Sequence, residues 1–354
     1  MKHHSGLPIA PLLALALLAF NCPVPRAQLL KPTPQQMRDN LAQVSAIAGI
    51  ETEGAAPFRL SATFATYDYL GKPAGEGTLE EVWLQPGVAR RAITFRGHRS
   101  EQTVRNGSVR GKDEGFTSSF MQRRIVAALL DAVPEGRSLP EASRLTYHGY
   151  KVNGGMLDCI VVKAAEPVKS SATEDGPATA YCSDPVTHTL RVRQERYDFA
   201  VVYNNLARLR DHTIAQKIQI TQAGKLRATL QVTSFAAASN LSEADFVLPP
   251  NTSDLSRAEV ELPEEVIAGR VLKKKAPTYP ETAKRNHISG TVFLSATIGK
   301  EGTIKELDVI SSPSPDLTET AMDAVRQWKY TPYLVGGVAQ EVNTTIRVNY
   351  SFSR

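Results

Sequence analysis

Two cysteines that can face each other, and several histidines whose spacing brings none of them together, are the residues most able to do chemistry here. Cys159 lies in "MLDCIVVKA" and Cys182 in "ATAYCSD", two strand-like runs on either side of the polar loop "EPVKSSATEDGP". In an oxidising compartment such a pair is most simply a disulfide across a hairpin. Closing a loop of that length stabilises by about 3 kcal/mol on the chain-entropy argument. No C-x-x-C is present, so the pair does not point to redox catalysis. His98, His148, His188, His212 and His287 are scattered, with no H-E-x-x-H to put two imidazoles on one helix face for a metal. A G-x-S-x-G elbow and a phosphate-cradling glycine loop are also missing. The sequence therefore predicts no enzyme, no metal site and no cofactor.

The third cysteine, Cys22, sits inside "MKHHSGLPIAPLLALALLAFNCPVPRAQ". Lys2, His3 and His4 give a basic start, and the apolar core Ile9 to Phe20 is 12 residues long. A spanning helix needs roughly 20 residues. Residues 1–27 thus read as an export signal cut after Ala27. Lipid attachment at Cys22 is the competing reading, disfavoured by Asn21, where such sites want Gly, Ala or Ser.

These residues must be held by elements, and 354 residues suggest two domains. The formal charge of +5 is spread along the chain without a basic arm, which speaks against nucleic-acid binding. "RVLKKK" (270–275) reads as a solvated stretch, with contact to anionic headgroups as the sharper alternative. From Pro57 the chain alternates as strands, beginning with Phe58, Leu60, Ala62 and Phe64 on one face. Asn106-Gly107 marks a hairpin. One helix, "SFMQRRIVAALLDAV", spaces Phe120, Ile125, Leu129 and Val133 helically and ends at Pro134. Phe58, Phe64, Trp83, Phe95 and Phe120 read first as core and second as ligand lining. The region 251–262 is polar, acidic and proline-flanked, and reads as a connector.

In the last 90 residues, "ETAKRNHI" is a short helix behind Pro280, and "TVFLSATI" and "TIKELDVIS" are strands around "GKEG". Ile304 and Leu307 fall on opposite parities, which predicts a β-bulge. "DLTETAMDAVRQWKY" is a helix capped by Ser314 with Pro315 behind it. "EVNTTIRVNYSF" closes the domain as a strand alternating Val342, Thr344, Ile346, Val348, Tyr350 and Phe352.

Residues 263–354 closely resemble the C-terminal domain of TonB-family proteins. The resemblance rests on Pro277-x-Tyr279-Pro280, Ala283, Ile288-x-Gly290, Gly302, Ala321, the "AVRQWKYTP" run and the alternating last strand. It implies binding of an extended segment of an outer-membrane or other envelope protein, added as a strand to the sheet edge. The expected contacts are Pro277, Tyr279 and Pro280, together with Val342, Asn343, Thr344, Thr345, Ile346, Arg347, Val348, Asn349 and Tyr350. An edge strand supports this physically, because it offers unpaired N–H and C=O groups to an incoming main chain. Family members keep an N-terminal membrane helix coupled to a proton-driven motor, whereas here an export signal stands at that end. Ala276 also replaces the Gln they often carry before the first proline.

Residues 32–250 resemble, in pattern only, LolA-like periplasmic lipoprotein carriers, through "VWLQPGVARRAITFRG" and "EADFVLPP". That likeness implies a curved half-barrel with a covering helix, and lipid as a possible second ligand. The expected fold is therefore α+β. A β-rich half-barrel-like domain is followed by a three-stranded antiparallel sheet backed by a helix. Two functions stand side by side, an interaction protein of the envelope and a lipid or lipoprotein carrier.

Overall fold

A computed structural model describes residues 31–105, 107–113, 118–133, 139–152, 155–163, 178–209, 212–247, 252–254 and 259–351. The expected export signal with Cys22, the loop between the two cysteines, Asn106, Pro134 and Phe352 lie outside the described residues.

The chain opens with helix α1 (Pro34–Ala48), which the sequence reading did not foresee. Thr33 and Gln36 form a reciprocal capping box, and Pro34 stands in the first turn where its missing N–H costs nothing. Met37, Leu41 and Val44 share its buried face. Five strands follow as meanders: β1 (Phe58–Tyr67), β2 (Pro73–Gln85), β3 (Val88–Phe95), β4 (His98–Arg105) and β5 (Ser108–Asp113). Helix α2 (Phe120–Leu130) has its own capping box, Ser119 with Gln122, and stops before Val133, three residues short of the expected end. Seven more strands complete this half: β6 (Arg144–Val152), β7 (Gly155–Lys163), β8 (Ala178–Ser183), β9 (Leu190–Glu195), β10 (Phe199–Leu209), β11 (His212–Gln222) and β12 (Lys225–Ala237).

All of them join one antiparallel sheet in which β1 pairs with β12, so the two meanders meet at the centre. Phe58, Leu60, Ala62 and Phe64 point inward as their alternation requires. They pack with Trp83, Phe95 and the apolar faces of α1 and α2 in one core. Phe58 stacks on Trp83 at 5.5 Å and Phe64 on Phe95 at 5.8 Å. Cys159 on β7 lies directly opposite Cys182 on β8, and the two form a disulfide.

The connector of 251–262 is more than a spacer. It carries β13 (Ser253–Asp254), which adds to the large sheet beside β5, and β14 (Glu259–Glu261), which adds to the small sheet that follows. Each domain thus receives one strand from the joint.

The C-terminal half continues with α3 (Glu264–Ala268), β15 (Val271–Lys273), α4 (Glu281–Arg285), β16 (Gly290–Ile298) and β17 (Ile304–Ser311). It ends with α5 (Pro315–Val325), β18 (Lys329–Tyr330), β19 (Tyr333–Val335) and β20 (Val338–Tyr350). Three long strands run β20–β16–β17, with β14 added in parallel outside β20 and β19 folded against its start. The sheet is therefore larger than the three strands expected. The predicted bulge is present: Ile304 and Glu306 face consecutive residues of β16, leaving Lys305 as the extra residue. The Ser314 hydroxyl accepts the Leu317 N–H at the start of α5, and Leu317, Ala321, Ala324 and Val325 are buried against the sheet. Gly302 adopts φ +76°, and a Cβ there would lie 1.9 Å from the Tyr330 carbonyl oxygen, so only glycine fits this turn.

Candidate functional site

β20 has two faces of opposite character. Val342, Ile346, Val348 and Tyr350 are buried against α5 together with Leu317 and Ala321. Asn343, Thr345, Arg347 and Asn349 occupy the other face, as the alternation predicted. Asn343 is nevertheless buried, its side-chain oxygen accepting the Thr297 hydroxyl at 2.7 Å. Thr344, expected only as part of the apolar alternation, donates its hydroxyl to the Leu262 carbonyl at 2.9 Å.

The strand was expected to be a bare edge, and over part of its length it is not. β14 runs parallel to it with Glu259, Val260 and Glu261 opposite Glu341, Val342 and Asn343. The Leu262 N–H then donates to the Asn343 carbonyl at 3.0 Å. The physical reason is that an unpaired row of backbone groups is a template for any extended segment, and the joint passes beside it. Because the Asn343 carbonyl points away from β16, alternation places the backbone groups of Thr345, Arg347 and Asn349 on the same outer side. Among the described residues no strand pairs with that outer side beyond Asn343. Arg347 reaches back over it, its Nε 2.5 Å from Glu264 and its guanidinium 3.9 Å from Glu265. The hydrogen bond it donates to Glu264 and the two negative charges hold that guanidinium in its charged form more firmly than usual.

Pro277, Tyr279 and Pro280 sit at the far end of the strand. The Tyr279 hydroxyl donates to the Ile288 carbonyl at 2.7 Å, and its ring packs edge-on against Tyr350 at 5.4 Å. Nearby, the Trp328 indole N–H donates to the Lys275 carbonyl at 2.8 Å. The turn thus pins the incoming chain to the domain core. Val342 and Tyr350 are eight steps apart, roughly 26 Å along a strand. The expected contacts Val342 to Tyr350 therefore run along β20, and Tyr279 meets them at the Tyr350 end.

The other edge of the small sheet, β17, meets the first domain. Arg227 on β12 is fully buried there. It contacts Asp308 at 2.9 Å, the Val309 carbonyl at 3.2 Å, the Tyr67 carbonyl at 3.3 Å and the Gln222 side chain. Burial pushes the Asp308 carboxyl upward, against the pull of the arginine. Gln222 also donates to the Ile310 carbonyl, and Tyr197 lies 5.0 Å from the Phe293 ring. Sequence gave no signal for this joint, since Arg227 and its acidic partner are 81 residues apart. Beside it opens a cleft of about 950 Å³, bounded by Arg96, Arg123, Lys305, Asp308, Glu319 and Arg326 among others. Charges of both signs make it a poor host for an acyl chain.

Within the first domain, an apolar space lined by Ala48, Ala128, Leu129, Leu190, Tyr203 and Ile218 measures about 20 Å³. No group of three or more His, Cys, Asp or Glu that could hold a metal occurs among the described residues. No helix among them is long and apolar enough to cross a membrane.

Comparison with known proteins returns both sequence relatives and solved structures. Residues 275–352 match the family model for the Gram-negative bacterial TonB protein C-terminal region. A TonB protein of Vibrio cholerae is 34% identical over 74 residues, covering 20% of this chain and 30% of that protein. One from Xanthomonas campestris pv. campestris is 32% identical over 78 residues, covering 22% and 35%. The chain thus spans about a third of the length of the curated relatives it matches. Among solved structures, an outer-membrane lipoprotein-sorting protein domain of Vibrio parahaemolyticus is 11% identical with a TM-score of 0.39, covering 59% of this chain and 97% of that one. A LolA superfamily protein of Nitrosomonas europaea is 8% identical with a TM-score of 0.40, covering 60% and 97%. What residues 275–352 of this chain are similar to, therefore, is the C-terminal region of TonB proteins.

Proposed function

We propose that this is a non-enzymatic protein of the cell envelope that docks an extended segment of an envelope partner, such as an outer-membrane transporter, along β20. The observation that carries the reading is the outer side of β20 in a TonB-family domain. It already accepts one extended segment, β14, through main-chain pairing, so the edge is competent for strand addition. Outward backbone groups of Thr345, Arg347 and Asn349 continue that surface. On this reading residues 1–27 serve as the export signal and the protein works in the periplasm. Pro277, Tyr279 and Pro280 act by fixing where the chain meets the domain, close to the end of the docking strand.

A carrier function for the first domain finds less support. Ligand pockets typically measure 300–1,000 Å³, so a lipid entering the space of about 20 Å³ lined by Ala48, Ala128, Leu129 and Ile218 would have to part the helices from the sheet there. The docking reading is tested by placing a photo-crosslinking residue at Asn349, which is exposed, in cells with intact envelopes. Mass spectrometry should map the crosslink to one extended segment of an outer-membrane or periplasmic protein. A crosslink absent there, with the domain folded, would count against docking on β20.

A further inference from the structure

We infer that β14, with its continuation to Glu265, is a built-in occupant of the docking edge, which a partner strand must displace to bind. The inference rests on the docking function proposed above and adds what governs access to the site.

The occupant makes each kind of contact that an added strand would make. Its main chain runs parallel to β20 in register, and the Leu262 N–H and carbonyl bond to the Asn343 carbonyl and the Thr344 hydroxyl at 3.0 and 2.9 Å. Leu262 packs against the domain core, and Glu264 and Glu265 face Arg347. The segment lies before residue 275 and so outside the residues that match the family. It is also short. Three residues pair with β20, while Glu261 and Glu265 are exposed and Val260 is half-buried. A longer segment could pair through Thr345, Arg347 and Asn349 as well, and so outbid β14 for the same edge. The seated occupant also specifies what would replace it. A competing segment would be extended and parallel to β20, apolar where Leu262 sits, with a carboxylate able to reach Arg347.

The test uses the whole mature protein and a fluorescently labelled synthetic peptide, EVELPEEV, copied from residues 259–266. A locked form carries Glu261→Cys and Asn343→Cys, which are direct neighbours across the pairing, oxidised to a disulfide. A released form carries Leu262→Pro, which removes the N–H bonded to Asn343, and Glu264→Gln. Tethering gives β14 an effective concentration of about millimolar, so releasing it should tighten peptide binding by about tenfold or more over wild type, with the locked form weakest. Trp328 fluorescence reports whether each variant is folded. If the released form fails to fold, Glu264→Gln with Glu265→Gln should still tighten binding by about threefold. Equal binding by folded locked, wild-type and released proteins overturns the inference, as does no binding by any. The Asn349 crosslink separates the two ideas. Its persistence with equal peptide binding removes the built-in occupant and leaves docking on β20 standing, whereas its loss removes docking itself.

Discussion

Replacing Arg227 with alanine should uncouple the two domains. The guanidinium is fully buried and bridges β12 to β17 through Asp308 at 2.9 Å and the Val309 carbonyl at 3.2 Å. Asp308 keeps 27% of its side chain exposed at the cleft, so water can partly replace the lost partner and the cost is about 2–3 kcal/mol, below that of a fully buried pair. Urea slopes for proteins of this size are about 2–3 kcal/mol per molar, so the midpoint should fall by about 1 M. The chain has two tryptophans, Trp83 in the first core and Trp328 in the second, so each domain can be watched separately in Trp328→Phe and Trp83→Phe backgrounds. With Arg227 present the two fluorescence transitions should coincide, and in Arg227→Ala they should separate. A double-mutant cycle with Asp308→Asn should return a coupling of about 1–3 kcal/mol. Unchanged midpoints, with both tryptophans still reporting together, would refute the argument that this contact joins the domains.

Gly302→Ala should destabilise the second domain by about 3 kcal/mol or more, read from Trp328 unfolding, because the added Cβ meets the Tyr330 carbonyl in a positive-φ turn. Free-thiol titration of the unreduced mature protein should find neither Cys159 nor Cys182 reactive. Glu81 on β2 should make stability depend on pH. Burial pushes its carboxyl up to about 8, against the opposing pull of Arg91 and with a further push from Glu51. A folded-state value above the unfolded one favours folding fully below about pH 4.5, and this contribution is lost as pH rises through about 8. The loss proceeds at no more than about 1.4 kcal/mol per pH unit, and Glu81→Gln should flatten it in denaturation curves taken between pH 5 and 9.

Much of the second domain was legible because its signals are local. Ser314 and Pro315 announce a capped helix, Ile304 and Leu307 betray a bulge by parity, and Val342 to Tyr350 alternate cleanly. Cys159 and Cys182 were readable as partners because a single polar stretch, "EPVKSSATEDGP", separates their strand-like runs in the sequence. Helix α1 is less legible although Thr33 and Gln36 spell a capping box, because Thr33 stands between Pro32 and Pro34, a composition that also marks loops. β14 could not be seen from sequence. Glu259–Glu261 is too short for a period to register, and its pairing is created by where the folded joint passes β20. Arg227 in "LRATL" reads as an ordinary outward residue of a strand, because its burial comes from a second domain.

The claim that β20 docks its partner through main-chain bonds is tested most directly at Thr345. Its backbone N–H lies on the outer side by alternation from Asn343, while its side chain adds little to pairing. Affinity for the crosslinked partner segment should be measured for Thr345→Pro, Thr345→Ala and wild type, with circular dichroism confirming the fold of each. Removing one net hydrogen bond is worth only about 1 kcal/mol, so the larger part of the loss comes from the proline ring obstructing the added strand. Alanine should bind within about threefold of wild type and proline at least about tenfold more weakly. A folded Thr345→Pro protein that binds as tightly as wild type would contradict docking along this edge.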